Sequence, residues 1–165
     1  MTSTIPEVVA KYRAKGLLID SNLLLLLAVG AVERELVVRF KRTKQFLVED
    51  YDLLAHIVSL FNRVVTTPHV LTEVSNLATS FDGQTRSAFF AQLGRLIEIL
   101  DERSISSREV ANDTFYSRLG ITDTALTLIG CGQLLVLTVD ASLASCISAR
   151  NGDVINFNHL RVANW

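Results

Sequence analysis

The sequence predicts an α/β fold on a short, mostly parallel sheet. First, compact apolar runs at residues 16–20, 64–66 and 134–139 have the length and composition of buried strands. Second, segments with helical spacing of apolar residues lie between and after them. Third, an acid stands where such a run hands over to a helix or within that helix's first turns, as at Asp20, Glu73, Asp123 and Asp140. Strands alternating with helices imply βαβ crossovers, and ligands of such sheets bind at the carboxyl ends of the strands.

The elements follow in order. Residues 4–15 read as a short amphipathic helix with Pro6 in its first turn and Gly16 as its stop. Gly16-Leu17-Leu18-Ile19-Asp20 is a buried strand ending in an acid, and residues 21–29 form the next helix. Over 30–45, Glu33, Glu35, Arg39, Lys41, Arg42 and Lys44 mix with Val37, Val38 and Phe40, which fits either an exposed charged helix or an excursion from the core. Residues 50–63 are helical, Val64-Val65-Thr66 is a β-branched strand, and Pro68 opens a helix running to Leu77. Asp82 can cap a long helix reaching Leu100, and Ser104-Ile105-Ser106 reads as an edge strand. Residues 108–119 form a helix closed by Gly120, and Thr122 can cap the next, over 123–129. Residues 134–139 are the clearest strand; 141–150 are helical, and Val154-Ile155-Asn156-Phe157 is a last short strand.

Composition sets outer bounds. At 165 residues one domain over 1–165 is expected, with a charged helical excursion at 30–50. Hydrophobic residues at 49% against 20% charged exclude a disordered chain. A net charge of −1 lends no global support to a polyanionic partner, so such a partner must be argued from local patches. Cys131 and Cys146 lack the spacing of a zinc site and read as buried free thiols. The apolar stretch 23–32 is too short for a membrane span and is not placed as a signal peptide, so a buried helix and a cytoplasmic location are expected.

Each acid alone has a structural role open to it. Asp20 and Asp140 suit N-caps, Asp123 suits the first turn of a helix, and Glu73 suits solvent. Together they converge on one edge of a parallel sheet, and converging carboxylates without cationic partners repel unless a divalent cation neutralises them. Oxygen-only ligands select hard ions, so Mg²⁺ or Mn²⁺ is the expected cofactor, and an enzyme acting on phosphate the expected class. Ser21, Asn22, Asn76 and Thr138 can orient the carboxylates. Arg39, Lys41, Arg42 and Lys44, with Phe40 and Phe46 between and beside them, offer either an RNA-backbone contact or a solvated face balanced by Glu33, Glu35 and Glu49.

At these residues the sequence resembles a known family. Leu17-Leu18-Ile19-Asp20-Ser21-Asn22 is similar to the opening strand of a PIN-domain nuclease, with its Asp-x-Asn/Ser signature. Thr67-Pro68-His69-Val70-Leu71-Thr72-Glu73-Val74 resembles the segment bearing that family's glutamate. Leu119-Gly120-Ile121-Thr122-Asp123-Thr124-Ala125 and Leu137-Thr138-Val139-Asp140 resemble the segments bearing its third and fourth acids. The resemblance implies a three-layer α/β/α sandwich and a ribonuclease that cleaves single-stranded RNA with Mg²⁺ or Mn²⁺. It implies Asp20, Glu73 and Asp123 as metal ligands, with Asp140 as a fourth ligand or a holder of water. Many bacterial members are VapC-like toxins bound by an antitoxin and often dimeric, so a toxin-antitoxin pair, an antitoxin partner and a homodimer are expectations of the same origin. The excursion at 30–45 is longer and more charged than in a minimal toxin.

Rival phosphate chemistries fail on composition. A haloacid-dehalogenase-type phosphatase needs an Asp where Asn22 stands, and both it and a phospho-receiver domain need a late Lys, whereas no Lys follows Lys44. A Walker-type site lacks its glycine loop. The alternative from another class is a PIN-like module that binds RNA or a protein without cutting. Apolar residues beyond one narrow stripe on the 82–100 helix, such as Phe89 beside Phe90 and Ile99 beside Leu100, suit an oligomer or a groove for an inhibitor.

Overall fold

The structure, a computed structural model, describes residues 4–163, so the extreme ends of the domain expected over 1–165 lie outside the described residues. Strand β1 (Leu17–Ile19) lies at the centre, paired in parallel with β2 (Val64–Thr66) on one side and β4 (Leu135–Thr138) on the other. β2 pairs with β3 (Asp101–Glu102) and β4 with β5 (Val154–Asn156), giving the order β3-β2-β1-β4-β5 with every pair parallel. Every residue of β1, β2 and β4 is buried, as befits a parallel sheet covered on both faces.

Those covers are helical. Helix α2 (Ser21–Val32) is apolar nearly all round and buried from Leu23 to Gly30. It packs against α3 (Leu36–Arg39), α4 (Val48–Ser59), α5 (Pro68–Leu77) and α6 (Gly83–Ile99). Helix α8 (Tyr116–Gly130) packs against α7 (Ser107–Ala111) and α9 (Ala141–Ala149). Right-handed crossovers put these two groups on opposite faces of the sheet, because the chain runs from β1 outward to β3 and then returns to β4. The result is a three-layer α/β/α sandwich. Helix α1 (Ile5–Tyr12) packs beside β4, and α10 (Phe157–Ala163) beside β5.

Local chemistry explains most boundaries. Thr67 accepts the Val70 N–H at 3.1 Å and Pro68 occupies the first turn of α5, where its missing N–H costs nothing. Asp82 caps α6 by accepting the Thr85 N–H at 3.1 Å. Several expectations need correction. The edge strand is Asp101–Glu102 rather than 104–106; its backbone extends the sheet although both side chains are acidic. The helix expected over 108–119 is two pieces, because Ser106 caps a short α7 and a turn at 112–115 precedes α8. Gly120 does close a helix: with φ of 77° and ψ of −178° it is non-helical and divides α8 into two helical pieces, and no side-chain cap from Thr122 opens the second. Phe157 opens α10 instead of closing the last strand. The charged stretch is an excursion: α2 runs on to Val32, α3 is a single turn, and residues 40–47 form consecutive turns. Cys146 is buried, Cys131 is only partly so, and both thiols are free.

Gly30 marks the tightest approach of α2 to α4. A Cβ there would lie 2.2–2.5 Å from ring atoms of Tyr51. Gly30→Ala is expected to destabilise by about 1–3 kcal/mol through overpacking. Gly94→Ala, in the interior of α6 with open space around it, is expected to stabilise by roughly 0.5–1 kcal/mol. Urea-unfolding midpoints of the two variants should therefore move in opposite directions.

Candidate functional site

The carboxyl ends of β1 and β4 meet where the chain reverses its direction across the sheet, which is the position of the ligand crevice in open α/β folds. Asp20 stands there as N-cap of α2, 3% exposed. One carboxylate oxygen accepts the Leu23 N–H at 2.8 Å, and the other accepts the Thr138 hydroxyl at 2.5 Å and the Val139 N–H at 2.9 Å. Burial pushes the Asp20 carboxyl above its ordinary range, the three hydrogen bonds pull it back, and the charge of Asp140 adds to the rise. Thr138 faces both ways, since its oxygen also accepts the Asp140 N–H at 2.9 Å.

Asp140 is exposed and caps α9 through the Leu143 N–H at 2.9 Å. Asp123 lies in the first turn after the break at Gly120 and is half-buried. Its carboxyl is pushed up to about 7, by desolvation first and then by the negative charges of Asp20, Asp140 and Glu73. The charges of three acids on other crossovers thus reach Asp123. Glu73 is exposed on α5 and shares a cavity of about 410 Å³ with His69, Asn76, Leu77, Ile121 and Thr122.

The orienting residues divide. Thr138 holds Asp20 and Asn76 stands beside Glu73, whereas Asn22 lines a separate depression of about 280 Å³ with Lys41, Arg42 and Lys44. Arg39 is apart from these cations: it pairs with Glu33 at 2.7 Å and donates to the Glu35 carbonyl at 3.3 Å. The buried Ser21 hydroxyl has no partner, and neither do the hydroxyls of Thr66 and Thr124 or Nδ1 of His69. Thr66 and Thr124 are not evident as site residues from the sequence, whereas His69, in the turn before Glu73, is open there to either a substrate contact or a cap or surface role. The available signal was a threonine closing an apolar strand, which Thr66 shares with Thr138, and a polar residue flanking an acid or opening its helix.

Among the described residues no three His, Cys, Asp or Glu side chains stand close enough together to enclose a metal ion. The donors at the rim are nevertheless all hard oxygen, with unpartnered hydroxyls beside Asp20 and Asp123. Mg²⁺ commonly uses only one or two carboxylates and keeps much of its water, so this donor set fits it. No protein-family model and no curated protein sequence matches the chain. The α/β/α architecture with its small parallel sheet is consistent with the broad PIN and Rossmann-like fold class. No helix among the described residues is long and apolar enough to cross a membrane.

Asp123 gives a pH-dependent stability test. The folded protein retains its proton up to about pH 7, whereas the unfolded chain releases it near the ordinary value of 3.8. The cost to the fold is absent below that lower value, grows as pH rises, and is complete above about 7. Asp123→Asn without metal is therefore expected to raise the melting temperature at about pH 8 and to raise it less at about pH 5. A large drop at both pH values would make Asp123 chiefly a structural helix residue.

Proposed function

We propose that the chain is a PIN-like endoribonuclease that binds single-stranded RNA across this rim and cleaves its phosphodiester bonds with Mg²⁺ or Mn²⁺. The single observation that carries the reading is the placement of Asp20, Glu73, Asp123 and Asp140 on four successive crossovers of one parallel sheet, with Asp20 buried and oriented at its switch point. Capping accounts for Asp20 and Asp140 singly, but not for Asp123 lying in their field with no salt bridge among the described residues, which suits a site completed by a divalent ion.

One or two of Asp20, Glu73 and Asp123 would bind the ion directly and the others would hold its water, with Asp140 beside them. When bound, it would offset the rim's charge, activate water and stabilise charge on the leaving oxygen. Leu23, Thr138 and Val139 keep the Asp20 carboxylate fixed, so a ligand meets an oriented group. The unpartnered hydroxyls of Ser21 and Thr124 offer places to anchor water, and Asn76 and His69 face the cavity in which a nucleotide can lie.

A second reading has its own observation. The lack of three grouped ligand side chains among the described residues favours a PIN-like module that binds RNA or a protein without cutting. Membership of a toxin-antitoxin pair, an antitoxin partner, a homodimer and a cytoplasmic setting remain parts of the nuclease proposal and are carried by the resemblance alone.

One experiment separates the two. Purified protein with Mn²⁺ is expected to cleave an unstructured RNA, and chelation or Asp20→Asn to lower the rate at least about 100-fold, the order seen on loss of metal-site groups. Mn²⁺ should also raise the melting temperature of the parent protein, and raise it less in Asp20→Asn. Intact RNA together with metal-independent RNA binding would establish the binding module instead.

A further inference from the structure

The acid rim poses a problem for the function proposed above, because a phosphate strand is repelled by the carboxylates that are to cut it. The structure holds a counterweight. Lys41, Arg42 and Lys44 are exposed on turns 40–47 and line one depression with Asn22, Gln45 and Leu77. Asn22 adjoins Asp20 through Ser21, and Leu77 also lines the cavity of Glu73 and His69, so basic and acidic depressions share a wall.

What distinguishes these cations is that three without a carboxylate partner among the described residues fall within four residues, 41–44. Lys11, Arg34, Arg39, Arg103, Arg150 and Arg161 each have a carboxylate partner, whereas no salt bridge among the described residues involves Lys41, Arg42 or Lys44. Of the acids that could balance the stretch, Glu33 is taken by Arg39.

The turns are also built, which a solvated charge run need not be. Between the three cations, Thr43 is fully buried and its hydroxyl donates to the Val37 carbonyl at 2.7 Å. On either side Phe40 stacks on Phe81 at 3.8 Å, and Phe46 is buried beneath the Arg161 guanidinium at 5.2 Å. Arg161 donates to the Gln45 carbonyl at 2.9 Å and pairs at 2.9 Å with Asp50, whose side chain is 1% exposed. The same Arg161 donates to Asn158 at 3.1 Å, and Asn158 donates to the Val139 carbonyl at 3.1 Å. Val139 is the residue whose N–H holds Asp20. A continuous set of hydrogen bonds therefore fixes the basic turns relative to the acid rim.

We propose that Lys41, Arg42 and Lys44, held by Thr43 and Arg161, form a docking track for the sugar-phosphate backbone of a single strand whose adjoining nucleotides enter the Glu73 cavity. This rests on the RNA reading above and adds the residues that overcome the rim's repulsion. A fixed track binds without first losing the freedom of a loop, and each phosphate it neutralises releases counterions.

The test is binding, kept apart from cleavage by the Asp20→Asn background. A fluorescent, unstructured RNA of about 12 nucleotides, long enough to cover one single-strand site, is titrated by anisotropy with and without Mg²⁺ over a salt series. Lys41→Ala/Arg42→Ala/Lys44→Ala is expected to weaken binding by about tenfold or more at low salt and to flatten the log–log salt slope by roughly 2, near 0.7 per lost phosphate contact. Lys41→Arg/Lys44→Arg should retain affinity, as should Arg13→Ala/Arg86→Ala/Arg95→Ala, which removes equal charge elsewhere. Unchanged melting temperatures show that the variants are folded. Equal weakening by the two triple-alanine variants would overturn the track in favour of a diffuse field, and unchanged affinity of the first would overturn it outright. Displacement of the RNA by a polyglutamate peptide at equal charge concentration would also overturn it, pointing to an acidic protein partner. Cleavage by the parent protein is scored separately, so intact RNA counts against the nuclease and leaves the binding result standing.

Discussion

A buried carboxylate at the end of the central strand governs this structure. Removing Asp20 from water costs several kcal/mol unless its oxygens are satisfied. The donors come from two places far apart in the chain, the first turn of α2 and the end of β4. Bonds to a charged group contribute about 1.5–3 kcal/mol each, so the set offsets the desolvation more than it adds net stability. What it fixes is position. β1 and β4 end in register, Thr138 relays from the Asp140 N–H to Asp20, and the crevice between the two strands acquires a rigid acidic floor.

From that floor the charge distribution follows. Asp123 cannot leave, because it rides on the first turn after the break at Gly120, and Asp140 cannot leave, because it caps α9. Both therefore sit in the field of Asp20, and the protein bears their repulsion. Some acids elsewhere are paired: Asp113 with Arg150, Asp153 with Lys11 and the Tyr12 hydroxyl, Asp101 with Arg103. What sets the rim acids apart is place: Asp20, Asp123 and Asp140 come from different crossovers to the switch point of the sheet, where a ligand of such a fold would bind.

Much of this was readable in advance because burial leaves a mark on composition. β1, β2 and β4 are covered on both faces, so they appear as unbroken apolar runs, and an Asp at the end of such a run is conspicuous. β3 is two acidic residues paired through their backbone, and no side-chain pattern could announce it. Gly120 looked like a stop because glycine often ends helices. It is one: its positive φ ends the first helical piece, and the next begins without a Thr122 side-chain cap, which places Asp123 in its first turn. The basic turns were visible as charge and invisible as structure, since their order depends on Phe40, Thr43 and Phe46 turning inward and on Arg161, more than a hundred residues away. The orphaned hydroxyls of Thr66 and Thr124 are tertiary facts of the same kind.

The relay through Asn158 and Arg161 gives the last short helix a purpose that its length alone would not suggest. An ion pair with a buried Asp50 is weak support for stability, because both charges lose water to make it. Its value is directional: a guanidinium is a planar fork, and here it is divided among Asp50, the Gln45 carbonyl and Asn158. Lysine could match the charge but not that division. The Val139 peptide lies at the other end, with its N–H on Asp20 and its carbonyl on Asn158. The acid rim and the basic turns thus share one frame set by the end of β4, so the distance between them is fixed by hydrogen bonds and not by the length of the intervening loops.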